Sequence, residues 1–312
     1  MRLGVDIGGT KTDVVVVDGG EVIARHRAPS GFGPGEVVAA ATDSVETALR
    51  QANVTLADVA SIGIGVPGGV ADGVVTFALN LGIERLDLAG ALEHAWGQRP
   101  VIDNDVNVAA LGAWALRGRG ATSLAYLNLG TGLAAGIIVD GKLWRGSRGT
   151  AGELGHISVD PAGPLDADGL PGALETYASG SGIVRQWGVA GAVARDVFEA
   201  ADRGEPGAVE IRDGLYFGVA SAVRAMVLML DVETVVLGGG LSAQGDTLIA
   251  GVAGVLHGWE ARSEFLRSLE LGARIVVLDA DIPVAALGAA DLGAADLGAA
   301  DRGVADRGAA RG

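Results

Sequence analysis

The sequence predicts a duplicated α/β fold of two lobes, because the same pattern of two strands joined by glycines occurs twice. The first copy is GVDIGGTKTDVVVVD at residues 4–18, and the second is LNLGTGLAAGIIVDG at residues 127–141. Each copy is followed by segments with apolar residues at helical spacing. A chain of 312 residues with 49% hydrophobic content can bury a core large enough for both lobes.

The first lobe is expected to span residues 1–118 and to begin with three strands and a helix. Pro67, Gly68 and Gly69 close the strand that follows, and glycines near 118–120 form a linker. The predicted strands are 3–7, 12–17, 22–28, 59–66 and 100–102, and the predicted helices are 36–52, 88–96 and 105–117.

The second lobe is expected to span residues 119–286. It begins with strands 124–129 and 133–139 and continues through a segment rich in glycine and proline at 145–172. Long helices follow between 180 and 230, then a strand at 234–237, the glycine run 238–240, a helix, a strand at 274–278 and a last helix from 283. Two lobes of this kind predict a nucleotide-binding fold with a cleft between them.

The tail at residues 287–312 repeats a five-residue unit that begins as LGAAD. Five residues advance about 140° around a helix, so one leucine per unit does not stay on one face. We therefore expect the first unit to end the last helix and the rest to be a mostly disordered, low-complexity extension.

Composition excludes several classes of protein. The net charge is −15 and no cluster of lysine and arginine interrupts it, so nucleic acid is not an expected partner. No apolar run reaches the roughly 18 residues of a membrane span, and the chain enters a strand at once instead of a signal peptide, so a cytoplasmic protein is expected. Cysteine is absent, which excludes disulfides, thiolate zinc sites and a cysteine nucleophile.

The first hairpin turn has the residues of a phosphate-binding loop. Gly8 and Gly9 allow backbone N–H groups to approach an anion, Thr10 adds a hydroxyl, and Asp6 is placed to hold a metal ion through water. The alternative is a tight hairpin that needs glycine for a positive φ. A second turn of glycine and threonine, formed by Gly130, Thr131 and Gly132, favours phosphate binding from the other lobe. The run of Gly238, Gly239 and Gly240 after a strand would let an adenosine lie against the backbone.

The segment VIDNDVN at 101–107 lies at a predicted junction between a strand and a helix. Asp105 is either a helix N-cap or a general base. In the second interpretation, Asn104 and Asp105 bind a polyol, and Asp105 accepts the proton of the hydroxyl that attacks phosphorus.

Two further carboxylates and an imidazole lie in the segment with little regular structure. Glu153 and His156 belong to GELGH at 152–156, and Glu175 belongs to LETYAS at 174–179. Carboxylates in such a loop are either solvated surface groups or ligand contacts.

With these segments in place, the chain resembles the ROK family of sugar kinases and repressors over residues 1–290. The motifs that carry the resemblance occur in the family's order: DIGGTKT, GVPG, NLG, NDVN, GTG, GELGH, LETYASG and GGG. Only five residues precede Asp6, so we expect a kinase and not a repressor with a DNA-binding segment before that strand.

The resemblance implies the two-lobed, actin-like ATPase fold of the hexokinase type, which is similar to ribonuclease H. It implies ATP with Mg²⁺, a homodimer, and a hexose or N-acetylhexosamine phosphorylated at its 6-hydroxyl, with glucose as the first choice. The alternatives are an N-acetylglucosamine or N-acetylmannosamine kinase and a non-catalytic, sugar-binding regulatory protein.

The resemblance also implies roles for individual residues. Asp105 matches the catalytic base, and the sugar contacts are matched by Asn80, Asn104, Glu153, His156 and Glu175, with the loop at 145–180 contacting the sugar. The nucleotide and Mg²⁺ contacts are matched by Asp6, Gly8, Gly9, Thr10, Lys11, Thr131, Gly132, Gly239 and Gly240.

The chain departs from the family at a zinc site that many members form from the histidine of GELGH and three cysteines. The corresponding positions here hold Asp166, Asp168 and Ala173. Such a donor set is incomplete for tetrahedral zinc, so no structural zinc is expected. Our hypothesis from the sequence is that Asp166 or Asp168 orients His156 in place of the metal. A second departure is Ala113, where the family usually has a glutamate after the Leu-Gly pair.

Overall fold

The computed structural model describes residues 1–118, 120–279 and 281–294. Within them the chain forms two compact units. The first comprises 1–118 with 147–149 and the end of the described chain from 283, and the second comprises 120–146 with 150–282 apart from residue 280.

Strands and helices are mixed along both units of the described chain. The strands are β1 (Arg2–Ile7), β2 (Lys11–Asp18), β3 (Glu21–Pro29), β4 (Ser61–Val66), β5 (Gly69–Ala71), β6 (Val74–Ala78), β7 (Ile83–Asp87), β8 (Val101–Asn104), β9 (Ser123–Leu129), β10 (Leu133–Val139), β11 (Lys142–Leu143), β12 (Thr234–Gly238) and β13 (Ile275–Val277). The helices are α1 (Pro34–Ala52), α2 (Leu88–Trp96), α3 (Asp105–Leu116), α4 (Leu174–Ala178), α5 (Gly180–Trp187), α6 (Ala194–Asp202), α7 (Pro206–Leu230), α8 (Asp246–Glu260), α9 (Glu264–Ser268) and α10 (Val284–Ala294).

Each unit is built on a five-stranded sheet of the same topology. The order is β3-β2-β1-β4-β8 in the first unit and β11-β10-β9-β12-β13 in the second. In both, an antiparallel hairpin forms one side of the sheet and parallel strands form the other. The predicted α/β duplication is therefore present, and each apolar strand buries its side chains in its own unit's core.

A small antiparallel sheet in the first unit, of order β5-β6-β7, was not predicted. Each of its strands has five residues or fewer, and polar or exposed positions interrupt the apolar ones. A pattern this short carries little periodicity, so the sequence does not separate it from a loop.

Helix α10 belongs to the first unit, although the sequence-based boundary assigned residues up to 286 to the second lobe. It packs so closely that a Cβ at Gly4 or Gly63 would lie 1.9 or 1.8 Å from the carbonyl oxygen of Ala286 or Ala289. The helix also continues to Ala294, beyond the first five-residue unit. Small residues in the repeat make this approach possible. The rest of the predicted extension, 295–312, lies outside the described residues.

Within the described part of the chain, α7 is long and apolar enough to cross a membrane, judged by length and composition alone. Half of its most apolar 18-residue window is buried within the protein. Its inward face forms part of the core of the second unit together with β9, β12 and α8. This is the environment of a core helix.

Candidate active-site residues

The turn between β1 and β2 is closed by a hydrogen bond of 2.9 Å from the Gly8 N–H to the Lys11 carbonyl. Neither Gly8 nor Gly9 has a positive φ. A Cβ at Gly8 would instead lie 3.0 Å from the Lys11 carbonyl oxygen, and one at Gly9 would lie 3.0 Å from Cβ of Asn80. Close approach, and not a left-handed turn, therefore favours glycine at both positions. The turn also places Asn80 beside Gly9.

Ser30, which directly follows β3, holds this turn in place through hydrogen bonds. Its buried hydroxyl donates a 2.7 Å hydrogen bond to the Gly8 carbonyl and lies 3.0 Å from the hydroxyl of Thr12. Its backbone N–H donates to the Thr10 carbonyl at 3.3 Å. Three hydrogen bonds thus tie one serine to both sides of the turn and restrict its motion.

Carboxylates converge on one face of the first sheet. Asp6 on β1 lies opposite Asp13 on β2. Burial, and then the charges of Asp105 and Asp13, raise the pKa of Asp6 to about 8, against a smaller opposing effect of Arg27. Asp6 and Asp105 are therefore close enough to repel each other, and a cation between their oxygens would relieve that repulsion.

The negative charge of Asp13, unlike that of Asp6, is paired with arginine side chains. Its carboxylate accepts hydrogen bonds from Nε of Arg25 at 3.0 Å and from Nε of Arg27 at 2.9 Å. Burial by itself would raise the pKa of Asp13, but the two guanidinium groups lower it overall. Asp13 is thus a paired structural anion, whereas no guanidinium group among the described residues donates a hydrogen bond to Asp6.

The start of α3 distinguishes the two interpretations of Asp105, as a helix N-cap or as a general base. The N-cap is Asn104, whose Oδ1 accepts from the N–H groups of Val106 at 2.9 Å and Asn107 at 3.4 Å. Asp105 is the first helical residue and not the N-cap, and its own Oδ1 also accepts from the Val106 N–H at 3.0 Å. The Asn104 amide also donates to the Gly68 carbonyl at 3.2 Å, which leaves one amide hydrogen for a ligand.

Asp103 supports this segment from the core. It is buried and accepts from the Asn104 N–H at 2.7 Å and from the side-chain amide of Asn107 at 2.8 Å. Gly65 on β4 allows α3 to lie close, since a Cβ there would be 2.4 Å from Val108. The backbone that carries Asn104 and Asp105 is thus held on two sides.

In the second unit, the turn between β9 and β10 is joined to the helices that follow it. The carbonyls of Gly130 and Thr131 accept from the N–H groups of Gly180 at 2.8 Å and Ser181 at 3.0 Å. The Leu133 N–H donates to the carboxylate of Glu175 at 3.0 Å. Neither Gly130 nor Gly132 has a positive φ.

Glu175 also explains the glycine at position 132. A Cβ at Gly132 would lie 2.8 Å from Oε2 of Glu175. The structure therefore brings together one residue predicted to bind the nucleotide and one predicted to bind sugar. Glu175 is a bonded, partly buried group and not a solvated surface carboxylate.

The same turn lines a cavity of about 480 Å³ that lies wholly in the second unit. Thr131 and Gly240 lie on its wall with the apolar side chains Val184 and Val193 and the cation Arg195. In a chain of net charge −15, no carboxylate side chain is among the described residues that line it. The cavity therefore suits an anion with an apolar part.

Two glycines in the run after β12, Gly239 and Gly240, have different surroundings. Gly239 has φ of 83°, and a Cβ there would lie 2.6 Å from Oδ1 of Asn128, so only glycine fits. A Cβ at Gly240 meets nothing within 4 Å. Gly240 thus keeps the cavity wall open and is not packed against protein.

The loop that contains Glu153 and His156 lacks the contact predicted from the sequence, in which Asp166 or Asp168 orients His156. Both side chains are exposed, and among the described residues no hydrogen bond or ion pair joins His156 to Asp166 or Asp168. Asp166 accepts instead from the N–H groups of Asp168 at 2.9 Å and Leu170 at 2.8 Å, which stabilises its own turn.

The family's zinc does not fit this loop. Two N–H groups already occupy one carboxylate oxygen of Asp166, and Ala173 has no donor atom. Among residues 1–118, 120–279 and 281–294, no group of three or more His, Cys, Asp or Glu side chains is placed to hold a metal ion.

Sequence reasoning missed three residues of these sites. Ser30 lies about twenty residues from the turn that it supports and is ordinary in composition, so no local signal marks it. Arg195 approaches the cavity only through the packing of α6. Asp103 had a signal, because a carboxylate within a buried strand needs polar partners nearby.

Comparison with known proteins places these residues in a family. The model of the ROK family matches residues 2–292. A glucokinase of Halalkalibacterium halodurans is 32% identical over 273 residues, covering 79% of this chain and 82% of the relative. An N-acetylmannosamine kinase of Vibrio cholerae is 30% identical over 245 residues, covering 77% of this chain and 83% of the relative.

A solved structure extends the comparison. The ROK family glucokinase from Streptomyces griseus, in complex with glucose and AMPPNP, is 30% identical with a TM-score of 0.73. The match covers 94% of this chain and 98% of that one. The fold is therefore the actin-like, hexokinase-type fold that the motifs predicted.

Proposed function

We propose that this chain, which belongs to the ROK family and is an ATP-dependent sugar kinase, phosphorylates glucose at the 6-hydroxyl. One observation carries the proposal. Asp105, the first residue of α3, lies within electrostatic reach of Asp6 beside the turn of Gly8 and Gly9. A carboxylate suited to accept a proton thus neighbours a turn suited to phosphate.

The residues of the first unit would divide the chemistry as follows. Asp105 accepts the proton of the attacking hydroxyl, and the remaining amide hydrogen of Asn104 orients the sugar. The backbone N–H groups around Gly9 and Thr10, with Lys11, bind the phosphates of ATP. Asn80 lies beside Gly9 and is assigned to the sugar side of the reaction.

Asp6 fits a role in holding Mg²⁺, because its neighbouring carboxylate makes an unaccompanied negative charge costly there. When bound with ATP, Mg²⁺ neutralises charge on the transferred phosphoryl group. Two backbone strands and Ser30 keep the Asp6 segment in place while the cation and nucleotide exchange.

The residues of the second unit would bind both substrates. Glu153, His156 and Glu175 contact sugar hydroxyls, and Thr131, Gly132, Gly239 and Gly240 contact the nucleotide. The cavity lined by Val184, Val193 and Arg195 would accept the adenosine, with Arg195 near its phosphates. The hydrogen bond from the Leu133 N–H to Glu175 couples the positions of the sugar-contacting and the nucleotide-contacting residues.

Glucose is preferred because two of the glucokinases similar to this chain are 32% and 33% identical to it, slightly more than the N-acetylmannosamine kinase at 30%. The second candidate is N-acetylmannosamine kinase, which the relative from Vibrio cholerae supports. We extend the proposal to a cytoplasmic homodimer, for which light scattering should give about twice the chain mass of 31.2 kDa.

The test is ADP release from Mg-ATP with glucose, N-acetylmannosamine, N-acetylglucosamine, mannose or fructose. Asp105→Asn should reduce kcat by at least about 100-fold, because general-base catalysis contributes about 10²–10⁴-fold. The matched control is Asp43→Asn, a change of an exposed carboxylate on α1, which should leave kcat unchanged. Turnover on N-acetylmannosamine alone would select the second candidate. Sugar binding without turnover would indicate the non-catalytic, regulatory protein.

A further inference from the structure

The loop between His156 and Glu175 is closed by contacts that the sequence did not indicate. Ser158 pairs with Ala173, and Leu165 pairs with Pro171, as isolated antiparallel bridges. The Ser158 hydroxyl donates to the Pro171 carbonyl at 2.7 Å. These hydrogen-bonded contacts hold the two ends of the loop together.

A longer side-chain bond crosses the base of this loop. The hydroxyl of Tyr177 donates to Oδ2 of Asp160 at 2.9 Å. Oδ1 of the same carboxylate accepts from the Ala162 N–H at 3.0 Å. Asp160 follows His156 by four residues, and Tyr177 follows Glu175 by two on α4, so the bond joins the two segments that contain the predicted sugar contacts.

The packing around this bond leaves it little freedom. Tyr177 is 8% exposed, and its ring meets Phe217 edge-on at 5.6 Å between centroids. A Cβ at Gly163 would lie 2.3 Å from the Tyr177 hydroxyl. Gly172 has φ of 67°, and a Cβ there would lie 1.8 Å from the Asp160 carbonyl. Both glycines are thus required by the arrangement of Asp160 and Tyr177.

From this geometry we infer that the Asp160–Tyr177 hydrogen bond is the positioning element that holds His156 and Glu175 in register, in the place where the family uses zinc. Asp160 and Tyr177 are positioning residues and are not assigned contacts with the substrates. The inference rests on the proposed sugar-kinase function only for its kinetic readout.

The Tyr177 hydroxyl keeps its proton, and so its hydrogen bond to Asp160, over a wide range of pH. Burial, and then the hydrogen bond to Asp160, raise the pKa of Tyr177 to about 12. Its hydroxyl therefore remains a donor throughout the range in which an enzyme can be assayed. The bond is also charge-assisted, which makes it stronger than one between neutral groups.

The kinetic test compares Tyr177→Phe, Asp160→Ala and the double variant. Tyr177→Phe keeps the ring against Phe217 and removes only the hydroxyl. Each single change should raise the sugar KM by about tenfold and alter the ATP KM and kcat by less than about twofold. The double variant should be no worse than Asp160→Ala alone, since both changes remove the same bond.

The matched control is Tyr216→Phe in the same unit. Within the described residues the Tyr216 hydroxyl has no hydrogen bond, so this change should leave every constant unaltered. Additive effects in the double variant, or a sugar KM unchanged by Tyr177→Phe, would overturn the inference.

A second readout needs no activity. Hydrogen exchange of the sugar-free protein should accelerate by at least about tenfold at the amides of 157–172 in Tyr177→Phe, and not in Tyr216→Phe. Exchange that is unchanged in this loop would also overturn the inference. If wild type phosphorylates no sugar but the exchange result holds, the proposed function fails and the positioning bond stands.

Discussion

The hydroxyl of Ser30 donates a 2.7 Å hydrogen bond to the carbonyl of Gly8, which joins the end of β3 to the first glycine turn. Replacing Ser30 with Ala removes that donor and leaves the buried Thr12 hydroxyl without its partner. We expect the KM for ATP to rise by about fivefold and the free energy of unfolding to fall by roughly 1–3 kcal/mol.

Steady-state kinetics and urea denaturation measure the two effects. Ser268→Ala is the control, because its hydroxyl also donates to a backbone carbonyl, at 2.7 Å, but on the exposed helix α9. Equal changes in the sugar and ATP constants of Ser30→Ala would show a general loss of structure and not a local loosening of the turn.

Glu175 should serve two ligands in ways that substitutions can separate. Glu175→Gln keeps an oxygen that accepts from the Leu133 N–H but removes the charge, whereas Glu175→Ala removes both. We expect Glu175→Gln to raise the sugar KM by about tenfold with the ATP KM nearly unchanged, and Glu175→Ala to raise both. Initial rates with each substrate varied in turn measure this. Identical constants for the two variants would contradict the coupling.

Asp6 predicts how stability depends on pH in the protein without nucleotide or divalent cation. Its pKa of about 8 in the folded state exceeds its ordinary value of 3.8, because of burial first and then Asp105. The folded state therefore holds a proton that the unfolded state releases, so stability falls as pH rises from about 4 to 8. Asp6 contributes at most about 1.4 kcal/mol per pH unit to this slope.

Urea denaturation at pH 5, 6, 7 and 8 tests the sign, with Asp6→Asn as the comparison. The slope of the unfolding free energy should be more negative in wild type than in Asp6→Asn. Asp105→Asn should reduce the slope in part, since it removes one of the charges that raise the pKa of Asp6. Parallel slopes in wild type and Asp6→Asn would refute the assignment.

Arg195 lines the cavity in the second unit, and no ion pair engages it among the described residues. Arg195→Ala should raise the KM for ATP by about tenfold, because a cation near phosphate oxygens contributes a charge-assisted contact. The effect should shrink at high salt. Arg185→Ala, which changes an exposed arginine on α5 that does not line the cavity, should leave the KM unchanged. Equal effects of the two would mean that only net charge matters.

Much of the fold was predictable because its signals are local. The two hairpins have long apolar strands and glycine turns, and α2 and β10 begin and end at the predicted residues. The sheet of β5, β6 and β7 was missed because its strands are short and partly exposed. The membership of α10 in the first unit was missed because it depends on contacts with Gly4 and Gly63, which are far away in sequence.

By itself, the sequence determined the order of the main strands and helices, the duplication and the residue types of the proposed chemistry. Those properties depend on periodicity and on motifs of a few neighbouring residues. Only the tertiary structure decided that Asn104 and not Asp105 caps α3, that Ser30 supports the first turn, and that Asp160 and not Asp166 meets a partner across the loop. Hydrogen bonds between distant segments depend on packing, and no short window of sequence records that geometry.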